Sequence, residues 1–186
     1  NMRVKWWKQV VLNANWKMRQ QDDYQAAIAK IQAYGITVNG CFILGLDGDG
    51  PESFDDVLEF VRNSGLYEVQ VTFQTAFPGT PLYQRLRASD RILQDQRWDL
   101  CTLFDINFQP KGMTAAELQS GFVGLVKTLY SAEETTARRR QFKARLKQSA
   151  HFTEDTAITQ LPDPAPEAFA AEFTINVGLK KPVKVE

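Results

Sequence analysis

Cysteine and histidine are the scarcest chemistry-bearing residues in these 186 positions: two cysteines, Cys41 and Cys101, and one histidine, His151. The cysteines lie far apart, which excludes a disulfide framework and a Cys-x-x-Cys metal or redox pair. Two thiolates are also too few to hold an iron–sulfur cluster. Net charge is missing as well: 22 basic side chains balance 22 acidic ones, so non-specific attraction to nucleic acid or anionic lipid cannot rest on overall charge. No run approaches the roughly 20 apolar residues that a membrane helix needs. Residues 2–18 begin with Arg3, Lys5 and Lys8, but Asn13 and Asn15 interrupt the apolar stretch and no small-residue cleavage site follows. The absence of an export signal gives the expectation of a cytoplasmic protein.

What is present reads as one mixed domain, 44% hydrophobic. Tyr24, Ala27, Ile28 and Ile31 recur at helical spacing, with Asp22 or Asp23 as N-cap and Gly35 just past the end. Residues 36–46 (ITVNGCFILGL) are β-branched and apolar on both faces, which predicts a strand buried between layers and paired in parallel. Phe54, Val57, Leu58 and Val61 then mark a helix over about residues 51–63, starting at Pro51 and stopping before Gly65. Val69, Val71 and Phe73 alternate with polar residues over 68–74, a second strand. Thr80 and Pro81 cap and open a short helix with Leu82, Tyr83 and Leu86. Residues 91–110 lack a period but are rich in aromatic and apolar types, as an ordered connection would be. Thr114-x-x-Glu117 and Ser131-x-x-Glu134 have the form of capping boxes, the second opening a basic helix. Beyond Ser149, Pro162, Pro164 and Pro166 predict an extended tail with a short strand at 173–177.

The fold class is therefore α/β: a partial barrel, built of two βα units, with a carboxyl-terminal helical extension and an extended tail. The divisions fall at 1–20 (basic and Trp-rich), 21–112 (partial barrel), 113–150 (helical extension) and 151–186 (tail). Two parallel strands leave open edges, so the sheet is expected to need further strands. Another polypeptide, residues 6–12 or the tail strand could supply them, and another polypeptide is the expected source.

In parallel α/β folds ligands bind at the carboxyl ends of the strands, here the loops 45–50 and 74–79. The glycines of the first loop would let a flat ring or sugar approach the backbone, or would simply turn the chain into the next helix. Asp47, Asp49 and Glu52 lack the twelve-residue loop of a calcium site, and no Gly-Lys-Ser/Thr makes a phosphate loop. Cys41, in mid-strand, is expected to be a small buried hydrophobe, as is Cys101. The basic run Arg138-Arg139-Arg140 with Lys143, Arg145 and Lys147 has no acid between Thr135 and Thr153 and is expected to be a solvated helix face. No aromatic stacking platform accompanies it, so nucleic acid is not an expected partner. Trp6, Trp7 and Trp16 beside basic residues could meet a membrane surface, though packing on the βα portion is the plainer account.

Residues 35–49 (GITVNGCFILGLDGD), followed by 75–83 (TAFPGTPLY), resemble the late barrel strands of radical S-adenosylmethionine enzymes of the cobalamin-binding group. The resemblance runs from about Asp22 to about Tyr130. It implies a barrel fold, with Ile43 and Gly45 contacting adenine and Gln74 and Thr75 near the adenosyl group or substrate. Two departures stand at the motif itself: Cys41 replaces the glycine that opens the family's Gly-x-Ile-x-Gly pattern, and Gly48 stands where an acid often ends it. The family uses S-adenosylmethionine, a four-iron cluster held by a Cys-x-x-x-Cys-x-x-Cys loop, and cobalamin. This sequence has neither that loop nor the first four strands, so no catalytic residue, metal or cofactor is expected for the chain alone. Its expected role is the carboxyl-terminal portion of such an enzyme, contributing adenosyl- and substrate-facing walls. The alternative is a non-catalytic structural or interaction subunit of a larger assembly.

Overall fold

The computed structural model describes residues 24–150 and the strands Thr174–Ile175 and Val183–Lys184. Residues 1–20, with their tryptophans, and the expected N-caps Asp22 and Asp23 lie outside the described residues. Helix α1 (Tyr24–Gln32) buries Ile28 and Gln32, and the Gln32 amide donates to the Gly65 carbonyl at 2.8 Å. Strand β1 (Asn39–Leu44), helix α2 (Ser53–Ser64) and strand β2 (Glu68–Phe73) make a βαβ unit. The strands are parallel, in register from Asn39 opposite Glu68 to Leu44 opposite Phe73. Both strands are shorter than the sequence patterns. Gly45 ends β1 by turning left-handed (φ 89°), a geometry the apolar composition of 36–46 does not reveal. Pro51 lies in the turn ahead of α2 rather than in its first turn.

Among the described residues, helices pack on one face of this sheet, and on the other only Thr72, opposite Ile43, is buried. Phe42, Leu44, Val69, Val71 and Phe73 are buried against Val57 and Val61 of α2 and against Leu118, Phe122 and Leu125 of α4 (Ala115–Leu129). The Phe73 and Phe122 ring centroids are 4.1 Å apart. On the other face Ile43 is 51% exposed, and Cys41 and Gln70 are exposed too. The expectation of a strand buried on both faces, and of Cys41 as a buried hydrophobe, is corrected here. A strand's composition shows which side chains tolerate burial, whereas cover depends on the helices that pack against it, and α2 and α4 supply it on one side.

The edges differ as well. Gln74 N–H donates to Leu44 C=O (2.7 Å) and Tyr67 N–H to Val38 C=O (3.1 Å), so the even-numbered residues of β1 bond to β2. The N–H and C=O of Cys41 and Ile43 point to the opposite edge, where no strand is described. The far edge of β2 is partly closed by its own chain: Phe73 N–H donates to Leu103 C=O (2.8 Å), and the Tyr130 hydroxyl donates to Val69 C=O (2.9 Å).

Helix α3 (Pro81–Ala88) starts as its sequence dictates, with Pro81 at its first position and Thr80 Oγ1 accepting from Tyr83 N–H. A connector containing a 3-10 turn (Trp98–Leu100) leads to α4, which opens with the full Thr114–Glu117 capping box. At α5 (Ala132–Lys147) only half of the second box forms. Ser131 accepts from Glu134 N–H, but the Glu134 carboxylate is taken by Arg62 of α2. The basic run is not simply a solvated face. Arg138 is 3% exposed and donates to Leu129 C=O (2.7 Å), and burial lowers its pKa. Arg139 pairs with Glu68 at 2.5 Å and lies over the Tyr67 ring, and Arg145 reaches Ser64 C=O. Arg140 and Lys147 stay exposed. The tail strands β3 (Thr174–Ile175) and β4 (Val183–Lys184) pair antiparallel with each other. The architecture is mixed α/β with a small parallel two-stranded sheet.

Candidate functional site

The loops after β1 and β2 stand side by side because Gln74 N–H bonds to Leu44 C=O. Within the first loop, Asp49 Oδ2 accepts from Gly45 N–H and Leu46 N–H, both at 2.8 Å. This carboxylate is 2% exposed, and burial raises its pKa to about 6 against the opposing pull of those two amides. A Cβ on Gly45 would lie 2.9 Å from Leu118 Cδ2 and 3.1 Å from Phe108 Cζ. The missing side chain therefore makes room for the core rather than for a ligand. A Cβ on Gly112 would come within 2.2 Å of Asp49 C=O, so the segment before α4 presses on the same turn. Asp47 points away to Arg91, with Nη1 2.7 Å from Oδ1, and ties the loop to the connector.

The second loop is clamped from below. The Asn107 side-chain amide accepts from Ala76 N–H and donates to Ala76 C=O, each at 3.2 Å. Cys101 is part-buried beside that pair, its thiol 3.7 Å from Ala76 C=O, and burial is the main cause raising its pKa. Thr75 is 6% exposed and its hydroxyl donates back to Phe73 C=O (3.3 Å). Gln74 is 8% exposed and its Nε2 has no hydrogen-bond partner among the described residues.

Of the four residues read from sequence, Ile43 lies on the exposed sheet face, and Gly45, Gln74 and Thr75 are buried at the carboxyl ends. The register sets Ile43 opposite Thr72, with Gly45 and Gln74 immediately beyond the paired strands. Asp49 and Asn107, which hold both loops in shape, were not singled out for those roles. Asp49 carries a local signal, an aspartate four residues after a strand-ending glycine and able to accept its amide. Asn107 carries none, because its partner is 31 residues away.

Among the described residues no group of three or more His, Cys, Asp or Glu is placed to hold a metal ion. The two cysteines of the whole sequence do not fit a four-iron cluster. Among the described residues no helix is long and apolar enough to cross a membrane. Residues 80–184 match a domain of unknown function, DUF4070. The chain is similar to bacteriochlorophyllide d C-12(1)-methyltransferase of Chlorobaculum tepidum, 26% identical over 116 residues, which is 62% of this chain and 25% of that protein. It is also similar to hopanoid C-2 methylase of Rhodopseudomonas palustris, 35% identical over 68 residues, 37% of this chain and 13% of that protein. The aligned segments thus span a quarter or less of these relatives' lengths. No solved structure matches. The family match covers more than half of the residues, so the chain belongs to the DUF4070 family and, with these relatives, is identified as a carboxyl-terminal part of a cobalamin-binding radical S-adenosylmethionine enzyme.

Proposed function

We propose that the chain supplies the last two βα units of a radical S-adenosylmethionine barrel, and that the enzyme it completes transfers a methyl group, as the names of both relatives indicate for those proteins. The observation that carries this reading is the uncovered side of β1. Ile43 is half-exposed there, its backbone groups point to an edge with no described strand, and Gln74 Nε2, just past the end of the adjacent strand, is buried with no hydrogen-bond partner among the described residues. A buried donor without a partner costs about 1–3 kcal/mol, which a ligand acceptor or a further chain would recover.

These residues fit one wall of an adenosyl site. Ile43 would meet the ring through its side chain and its open backbone edge, and Gln74 Nε2 would donate to an acceptor on the adenosyl group or substrate. Gly45 and Thr75 would act through backbone groups, since the core fills the space beside Gly45 and the Thr75 hydroxyl already bonds to Phe73 C=O. S-adenosylmethionine bound at a cluster supplies radical chemistry in this family. The three-cysteine loop and the cobalamin domain must come from another segment, in the same polypeptide or in a partner. No detached structural role is needed to account for the exposed sheet face.

Calorimetric titration of S-adenosylmethionine, anaerobically, into this chain with and without the polypeptide that carries the cluster loop tests the reading. Binding is expected only in the combination, and Ile43→Asp is expected to weaken it about tenfold, as burying an apolar side chain predicts. The unfolding midpoint of the chain alone should not change. Micromolar binding by the chain alone, or indifference to Ile43→Asp, would overturn the assignment.

A further inference from the structure

We infer that Arg91 is a positioning residue for the candidate site: by holding Asp47 it fixes the turn after β1 against the connector, and so sets the place of that turn for a ligand at the carboxyl ends of the strands. This rests on the adenosyl-wall reading above and names a residue that shapes the same site from outside it. Of residues 45–50 three are glycine, Leu46 is apolar, and Asp49 spends Oδ2 within the turn on the Gly45 and Leu46 amides, each at 2.8 Å. Those bonds give the turn its shape. Its direction is less constrained, because Gly45 leaves β1 at φ 89°, in a region a glycine enters and leaves without steric cost. Gly45 and Asp49 are buried at the base of the turn, whereas Leu46, Asp47 and Gly48 are not. The side chain that ties this outer part to a distant segment is Asp47, whose Oδ1 lies 2.7 Å from Arg91 Nη1.

Arg91 is itself held on three sides. Its backbone N–H donates to Leu86 C=O in α3 (2.8 Å), and its C=O accepts from Gln109 N–H (2.7 Å). Its Nε donates to Gln109 C=O (2.8 Å), so the guanidinium is gripped at its root before it meets Asp47. The Arg91 side chain is 18% exposed and that of Asp47 26%, which shields the pair from the water and salt that weaken a surface pair. The contact is an ion pair without an aligned hydrogen bond: Asp47 Oδ1 and Arg91 Nη2 are both buried with no hydrogen-bond partner among the described residues. It therefore depends on charge, and removing either charge breaks it. Arg85, the other cation near Asp47, is 4.0 Å away with a side chain 60% exposed, and adds little.

The test is anaerobic titration of S-adenosylmethionine into the full chain combined with the polypeptide that carries the cluster loop, for the parent, Asp47→Asn, Arg91→Met and the double variant. Asparagine keeps the shape of aspartate and methionine keeps much of the apolar stem of arginine, so each variant should still unfold cooperatively. Each single variant is expected to weaken binding about tenfold and the double variant no further, because neighbours in one ion pair are lost as a unit. Arg85→Met should stay within about twofold of the parent. In the chain alone, amide exchange should speed up at Leu46 more than at Gln74 in both single variants, a local change that a general loss of stability does not produce. A loss of about a hundredfold in the double variant, the additive result, would overturn the role of Arg91. So would single variants that bind like the parent, or equal acceleration at Leu46 and Gln74. Ile43→Asp separates the two readings. If it weakens binding and the pair variants do not, Arg91 has no positioning role and the adenosyl wall stands; if the parent combination does not bind, the wall fails and the positioning role with it.

Discussion

The two strands of the small sheet have similar apolar content at their centres and opposite surroundings. β2 is finished by its own chain: Leu103 and Tyr130 bond to its far edge, Asn107 clamps the loop beyond it, and Phe73 is fully buried on Phe122. β1 is not. Its outer edge has no described partner and Ile43 is half-exposed. Under the proposed reading further strands would be added on the β1 side, while the β2 side is closed by described residues of its own chain.

The largest effect in this contrast is expected from a single truncation on the β2 side. Phe73→Ala is expected to cost about 3–5 kcal/mol in urea unfolding, the range for a fully buried aromatic that leaves a cavity. A loss below 1 kcal/mol would mean that the β2 side is not the stable half.

Next comes the loop that joins β1 to α2. The folded pKa of Asp49, about 6, lies above the ordinary aspartate value of 3.8, so between those values the folded state binds the extra proton. Its contribution to stability is full below about pH 4 and is lost as pH rises through 6. The Asp49-specific part should amount to about 2–3 kcal/mol between those limits, the free-energy equivalent of a shift of that size. Asp49→Asn keeps an acceptor for Gly45 and Leu46 and removes the titration. The difference in urea midpoint between parent and variant should therefore grow from pH 4 to pH 7, in favour of the variant, and a flat difference would refute the burial of a charged Asp49.

On the β2 side, Asn107→Ala leaves the buried Ala76 N–H without its partner and the Ala76 C=O with only the Cys101 thiol, and is expected to cost about 1–3 kcal/mol. Amide exchange should speed up at Ala76 more than at Leu44, and equal acceleration would mean that the clamp is not local. The smallest effect belongs to β1: Ile43→Ala should change the stability of the chain alone by no more than about 0.5 kcal/mol, as at an ordinary surface position. A loss near that of Phe73→Ala would show that the exposed face is covered in solution.

Local signals were legible in the sequence. Thr80 with Pro81 and Thr114 with Glu117 start their helices as read, because a cap bonds to residues two or three positions away. The parallel order of β1 and β2 was legible too, since a helix-length crossover sits between them. The second box has the same pattern, Ser131-x-x-Glu134, but only half of it forms, because Arg62, 72 residues earlier, takes the Glu134 carboxylate. Ile43, Gly45, Gln74 and Thr75 were named through the resemblance, and the structure places the last three at the carboxyl ends of the strands, while Asn107 had no local sign.

The sequence by itself determined most of the elements, their order and the count of two cysteines. These depend on neighbours along the chain or on simple counts. Tertiary structure alone decided that Cys41 and Ile43 face outward, that Arg138 turns inward to Leu129, and that the space beside Gly45 belongs to Leu118 and Phe108. Burial is a property of what packs on a residue. An apolar or basic pattern fixes the face that a side chain shares, and the distant segment that reaches that face decides whether water does.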